Sequence, residues 1–221
     1  MIPARARLSV AFDKRALARA ALRAAIEVRA DHEIPDDEAL CPYDLCEALN
    51  VTVRFVEFSM EGIYFKGSPA RVLLSARRPF ARRTFNCAHE LGHHLFGHGS
   101  RLDELHDRSE TSPWDDPEEF LADTFAGHLL LPTIAVRGAV NRRGWSIEDL
   151  LPKQVYALAC DFGVGYSTFV RHLQYGLQAI TSVRAAALLK VSPKTIRADL
   201  LGEETSKHVV LVSPRRAASW F

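Results

Sequence analysis

The pentapeptide His89-Glu90-Leu91-Gly92-His93 constrains this chain more than any other feature. Two histidines four residues apart lie about 40° from each other on an α-helix, one turn above each other. On a helix, both imidazoles can reach one tetrahedral Zn²⁺. Glu90 then points along an adjoining face, within reach of a proton on a metal-bound water. The competing reading is a helix that merely carries surface His and Glu. Phe85, Ala88, Leu91 and Leu95 give the segment an apolar stripe, which places the motif on a packed helix. Gly92 costs such a helix about 1 kcal/mol relative to Ala. A close approach by another chain or a ligand there would account for it.

A metal site of this kind needs a third protein ligand. His98 is nearest in sequence, but a helix continued to that point sets it about 180° from His89. The longer metal-binding pattern that begins with the same five residues requires Gly and His at positions now held by Phe96 and Gly99. His94 and His98 are therefore read as surface or packing histidines. The better candidate lies at Glu119, with Asp123 four residues on and so on the same helical face. Glu119 suits a His/His/Glu set, and Asp123 suits a partner for the free N–H of a ligand imidazole. An acidic helix start favoured by the macrodipole is the other reading of this segment, and Glu118 fits it alone.

Around the motif the pattern mixes strands and helices. Residues 14–30 are Ala-rich with helical spacing, and a short helix follows from Pro42 to Leu49. Val51–Phe58 alternates as a strand does. Gly62–Lys66 and Arg71–Ser75 flank Gly67-Ser68-Pro69 as a hairpin. Arg71–Ser75 is either a sheet edge, to which an extended peptide adds by backbone hydrogen bonds, or an inner strand. A helix is expected over 80–97, a polar loop over 98–116, and a helix from Pro117 that Pro132 ends. The rest reads as helices with short breaks. The expected fold is α+β: a zincin-like domain over residues 1–135, with a small mixed sheet and the HExxH helix, then an all-α, helix-turn-helix-like domain over 136–221.

The motif residues have a recognisable setting. RRTFNCAHELGHHLFGH (82–98), followed by EEFLADTFAGHLLLP (118–132), resembles the ImmA/IrrE family of zinc metallopeptidases. The second segment matches the family's pattern at Glu119, Ala122, Asp123, Phe125, Ala126 and Pro132. The resemblance covers most of residues 12–180. It implies that His89, His93 and Glu119 bind Zn²⁺ and that Glu90 is the catalytic acid/base. It also implies a helix-turn-helix repressor or antitoxin as substrate, in mobile-element induction, stress responses or toxin–antitoxin-like pairs. Two positions depart from the pattern. Cys87 stands where a small polar or aliphatic residue is expected; it reads as apolar packing, with a metal-contacting or redox role as the alternative. Asp123 replaces the more usual Asn and would pair more strongly with an imidazole.

In the mechanism so implied, Zn²⁺ polarises the scissile carbonyl and acidifies its bound water, while Glu90 relays the proton to the leaving amine. Tyr64, His106 and His128 are candidate oxyanion donors, each also readable as structural. The 99–116 loop, with Trp114, is a candidate cover for the site.

Charge divides the chain. The whole carries a net +1, but residues 1–136 hold 16 basic and 21 acidic side chains, net −5, and residues 137–221 hold 12 and 6, net +6. Within the basic half, residues 154–174 have helix-turn-helix spacing, with Ala159 as the small residue, Gly163 at the turn and Val164 buried after it. Ser167, Thr168, Arg171 and His172 are then expected to face outward, as candidate contacts to DNA or a protein partner. Ala186–Leu200 repeats the pattern with Lys190 in place of the glycine. The alternative is a helical bundle packed on the first domain.

With 48% apolar and 25% charged residues, the chain is neither disordered nor fibrous. No window approaches a membrane span, and charged residues interrupt the N-terminal segment, so neither membrane nor secretory targeting is expected. Cys41, Cys46, Cys87 and Cys160 lack CxxC spacing and read as reduced thiols in a cytoplasmic protein. A DNA- or repressor-binding regulator with a structural or inactive zinc site remains the competing functional class.

Overall fold

The computed structural model describes residues 12–103 and 116–202. His106 and Trp114 lie outside them, as does most of the expected loop. Helix α1 (Lys14–Asp31) opens at Asp13, whose carboxylate accepts from the backbone N–H groups of Arg15 and Ala16. Helix α2 (Pro42–Ala48) follows, and then strands β1 (Val51–Val56), β2 (Gly62–Phe65) and β3 (Ala70–Ser75). Helix α3 (Phe80–Leu95) carries the HExxH residues. Strand β4 (Arg101–Asp103) lies in the segment expected to be loop; three residues are too few for an alternation to give a strand signal. Helix α4 (Pro117–Leu130) starts at Asp116, whose Oδ1 accepts from Glu118 N (2.9 Å) and Glu119 N (3.4 Å), with Pro117 in the first turn.

The sheet order is β1-β3-β2-β4. β1 runs parallel to β3, and β2 runs antiparallel to both β3 and β4. The architecture is thus mixed α+β, as expected. The sheet settles the alternative left open for Arg71–Ser75. β3 is an inner strand, paired on both sides, and cannot accept an added peptide; within the described residues the edges are β1 and β4. Val72 and Leu74, on one face of β3, are fully buried.

α4 packs against both α1 and α3, so α3 is held between the sheet and α4. A buried arginine ties this arrangement together. Arg29 of α1 is 1% exposed, and donates from Nη1 to Leu129 O of α4 (2.9 Å) and from Nη2 to the carbonyls of Pro35 and Glu38. Burial lowers its pKa, and the nearby acids Asp36, Glu38 and Asp37 pull the other way.

Helices α5 (Thr133–Asn141), α6 (Pro152–Asp161), α7 (Tyr166–Arg171), α8 (Ser182–Leu189) and α9 (Pro193–Leu201) complete the described chain, with one π-helical turn over His172–Gly176. The division expected at 135/136 falls within α5. One cluster of buried apolar side chains runs from Ala21 through Leu74, Leu91 and Phe125 to Leu158, Phe169 and Ile196. No described helix is long and apolar enough to cross a membrane.

Candidate metal centre

α3 and α4 supply the metal-binding candidates from facing sides. Gly92 is what lets them meet: a Cβ there would sit 3.1 Å from Ala122 Cα and 3.1 Å from Phe125 Cδ1. The close approach at Gly92 comes from α4 of the same chain, not from a second chain or a ligand. One turn away, Glu119 reaches the histidines. His89 Nε2 lies 3.0 Å from His93 Nε2 and 3.3 Å from Glu119 Oε2, and His93 Nε2 lies 3.6 Å from Glu119 Oε1. His89 and His93 are buried, at 7% and 0% exposure. Among the described residues these three form the group able to hold an ion.

The donor set suits zinc. Ligand atoms bonded to Zn²⁺ at about 2.0–2.1 Å in a tetrahedron stand about 3.3 Å apart, close to the spacings found. The tautomers agree. His89 Nδ1 is 2.8 Å from Asp123 Oδ1, so the ring donates its Nδ1–H to the carboxylate. That leaves a lone pair on Nε2, aimed at the other two ligands. Burial pushes the Glu119 carboxyl up, but its hydrogen bonds and charge interactions with His89 and His93 outweigh this and hold it well below the usual carboxylate range.

His98 departs from the sequence reading. α3 does not continue to it. Gly97 takes φ +69° after the Phe96 cap, and His98 N donates to His93 O (3.0 Å), closing a Schellman turn. His98 is thereby folded back and buried, with its Nδ1 2.7 Å from His93 Nδ1. With Nε2 turned to the metal group, His93 donates its Nδ1–H to His98, as His89 does to Asp123. Gly97 was the available signal, because a glycine just past a helix end commonly reverses the chain.

Glu90 is fully buried, against the start of β2. A Cβ on Gly62 would fall on the Glu90 carboxylate, so a larger residue there would push that carboxylate aside. Sequence reasoning missed Gly62, since a glycine opening a strand is unremarkable.

The other candidates are placed as follows. Cys87 is 0% exposed and packs its Sγ 3.7 Å from Cys46 Sγ, outside the converging group; burial drives its thiol pKa well up, which suits apolar packing. Tyr64 is buried, with its hydroxyl 3.0 Å from His94 Nδ1. His128 is buried against His172, ring centroids 5.1 Å apart. On α7, Ser167 and Arg171 are exposed and Thr168 is half-buried. His172 does not share their outward face. It is 8% exposed, donates from Nε2 to Leu131 O (2.9 Å), and sits against Gly127 and Gly176, where any Cβ would strike its ring.

A family model described as the IrrE N-terminal-like domain, peptidase family M78, matches residues 46–174. No curated protein matches the chain.

Proposed function

Because the chain belongs to the IrrE N-terminal-like peptidase family, we propose that it is a zinc-dependent endopeptidase that inactivates a helix-turn-helix repressor or antitoxin by cleavage. The observation that carries this reading is the convergence of His89, His93 and Glu119 at 3.0–3.6 Å, with the buried Glu90 next to His89 in α3. A purely structural zinc site has no use for such a base. When bound, zinc polarises a scissile carbonyl and acidifies water. Asp123 and His98 hold the two imidazoles in the ligating tautomer, and Glu90 takes a proton and delivers it to the leaving amine. Substrate enters as an added strand at the β4 edge, whose neighbour β2 brings Gly62 against Glu90. The compartment we assign is the cytoplasm.

The test is incubation of the zinc-loaded protein with the helix-turn-helix protein encoded in a neighbouring reading frame. Cleavage is expected, and Glu90→Gln should abolish it with one zinc per chain retained. Cleavage that survives Glu90→Gln removes Glu90 from its role; a purified wild-type chain without zinc removes the site.

A second reading, a DNA-binding regulator, is favoured by the net +6 of residues 137–221 and by Ser167 and Arg171 exposed on α7. It expects a gel shift that weakens steeply with salt and is lost in Arg171→Ala.

A further inference from the structure

Arg82, Asn86 and Glu90 recur every fourth residue and so form one stripe along α3. That stripe faces the beginning of β2. Glu61, 13% exposed at its side chain, accepts from Arg82 Nε (2.9 Å) and Asn86 Nδ2 (2.9 Å) at Oε2 and pairs with Arg78 Nε (3.1 Å) at Oε1. Asn86 Nδ2 also donates to the Glu61 main-chain carbonyl (3.4 Å), which accepts from Ser75 N of β3 (3.3 Å) as well. The next residue is Gly62, whose missing Cβ leaves room for the Glu90 carboxylate. Its φ is not in the left-handed region, so the backbone itself does not demand glycine there. What demands it is the space that Glu90 occupies.

We infer that Glu61 and Gly62 are positioning residues for Glu90: the Glu61 clamp sets β2 against α3, and the bare Gly62 backbone forms the wall that fixes where the Glu90 carboxylate lies. Two cations and an amide on one carboxylate would be an excessive fastening for a loop end alone. They also engage the chain one residue before Gly62, whose Cβ would meet Glu90. The inference rests on the proposed role of Glu90 as the proton carrier, and its geometry is testable apart from it.

Gly62→Ala is expected to keep one zinc per chain and wild-type zinc affinity, because the added Cβ meets the Glu90 side chain and the ligand group is His89, His93 and Glu119. Its crystal structure should show the Glu90 carboxylate displaced. Against the same repressor, kcat should fall roughly 10- to 100-fold with KM nearly unchanged, since a misplacement of about 1 Å costs that much. Shortening the acid should relieve the clash, so Gly62→Ala/Glu90→Asp should turn over faster than Gly62→Ala alone, although Glu90→Asp slows the wild type. Glu61→Ala should lower kcat in the same manner, with Glu61→Gln restoring most of it through its remaining acceptor. A Glu90 carboxylate that stays in place in Gly62→Ala, or a kcat within twofold of wild type, overturns the inference. If the wild type itself cleaves nothing, the functional reading fails, and the crystallographic comparison still decides the positioning.

Discussion

At the residue scale, the metal group depends on the side chains behind it. His89 leans on Asp123 and His93 on His98, each through the nitrogen that faces away from the other ligands. Asp123 was legible in the sequence because it lies four residues from Glu119 on a regular helix. His98 was not, since its place follows from one glycine that ends α3 two residues before an unbroken helix would have carried it to the far face. His98→Ala leaves three ligands but frees the His93 ring to rotate and to change tautomer. Zinc affinity, measured by competition with a chromophoric chelator, should weaken about 10- to 100-fold. Unchanged affinity would reduce His98 to packing.

At the element scale, the site is a consequence of how closely α3 and α4 cross. The apolar periodicity around the motif and the acid-rich start at Pro117 made both helices readable before any coordinates. Their separation was hinted at by Gly92 alone, and nothing named the partner, since pairing of distant segments is a tertiary property. Likewise the order β1-β3-β2-β4 was beyond reach, because a hairpin pattern fixes β2 beside β3 but not which side β1 takes. Gly92→Ala tests the crossing. Alanine gains about 1 kcal/mol of helix propensity, while crowding Ala122 and Phe125 costs about 1–3 kcal/mol. The net loss of about 0–2 kcal/mol should lower the metal-free melting temperature by no more than about 8 °C. Zinc affinity should nevertheless fall about tenfold, because the helices separate where Glu119 must reach His89 and His93. A large loss of metal-free stability with affinity intact would mean that the crossing serves packing and not the metal.

At the scale of the whole molecule, the acidic and basic parts of the chain share one buried core, which the charge count could not reveal. His172 lies in that seam. The helix-turn-helix spacing placed it outward with Arg171, but it opens the π-helical turn just after α7, four residues beyond the half-buried Thr168 and on the flank that turns inward. Its ring rests on Gly127 of α4 and Gly176 of the π turn and donates to Leu131 O, with His128 facing it. Burial, with a smaller contribution from the charge of His128, pulls its pKa down to about 3 from an ordinary 6.5, and burial lowers that of His128 as well. The folded protein therefore keeps His172 neutral where the unfolded chain takes up a proton. The stability due to this group is complete above about pH 6.5 and is lost as pH falls toward 3, at about 1.4 kcal/mol per unit. His172→Gln retains an N–H for Leu131 O and does not titrate. Urea denaturation at pH 7.5, 6.0 and 5.0 should give the variant a flatter decline than the wild type, the gap between their slopes approaching about 1.4 kcal/mol per unit by pH 5. Parallel declines would show that the carboxylates alone govern the acid limb and that the seam between the two parts of the chain does not sense pH.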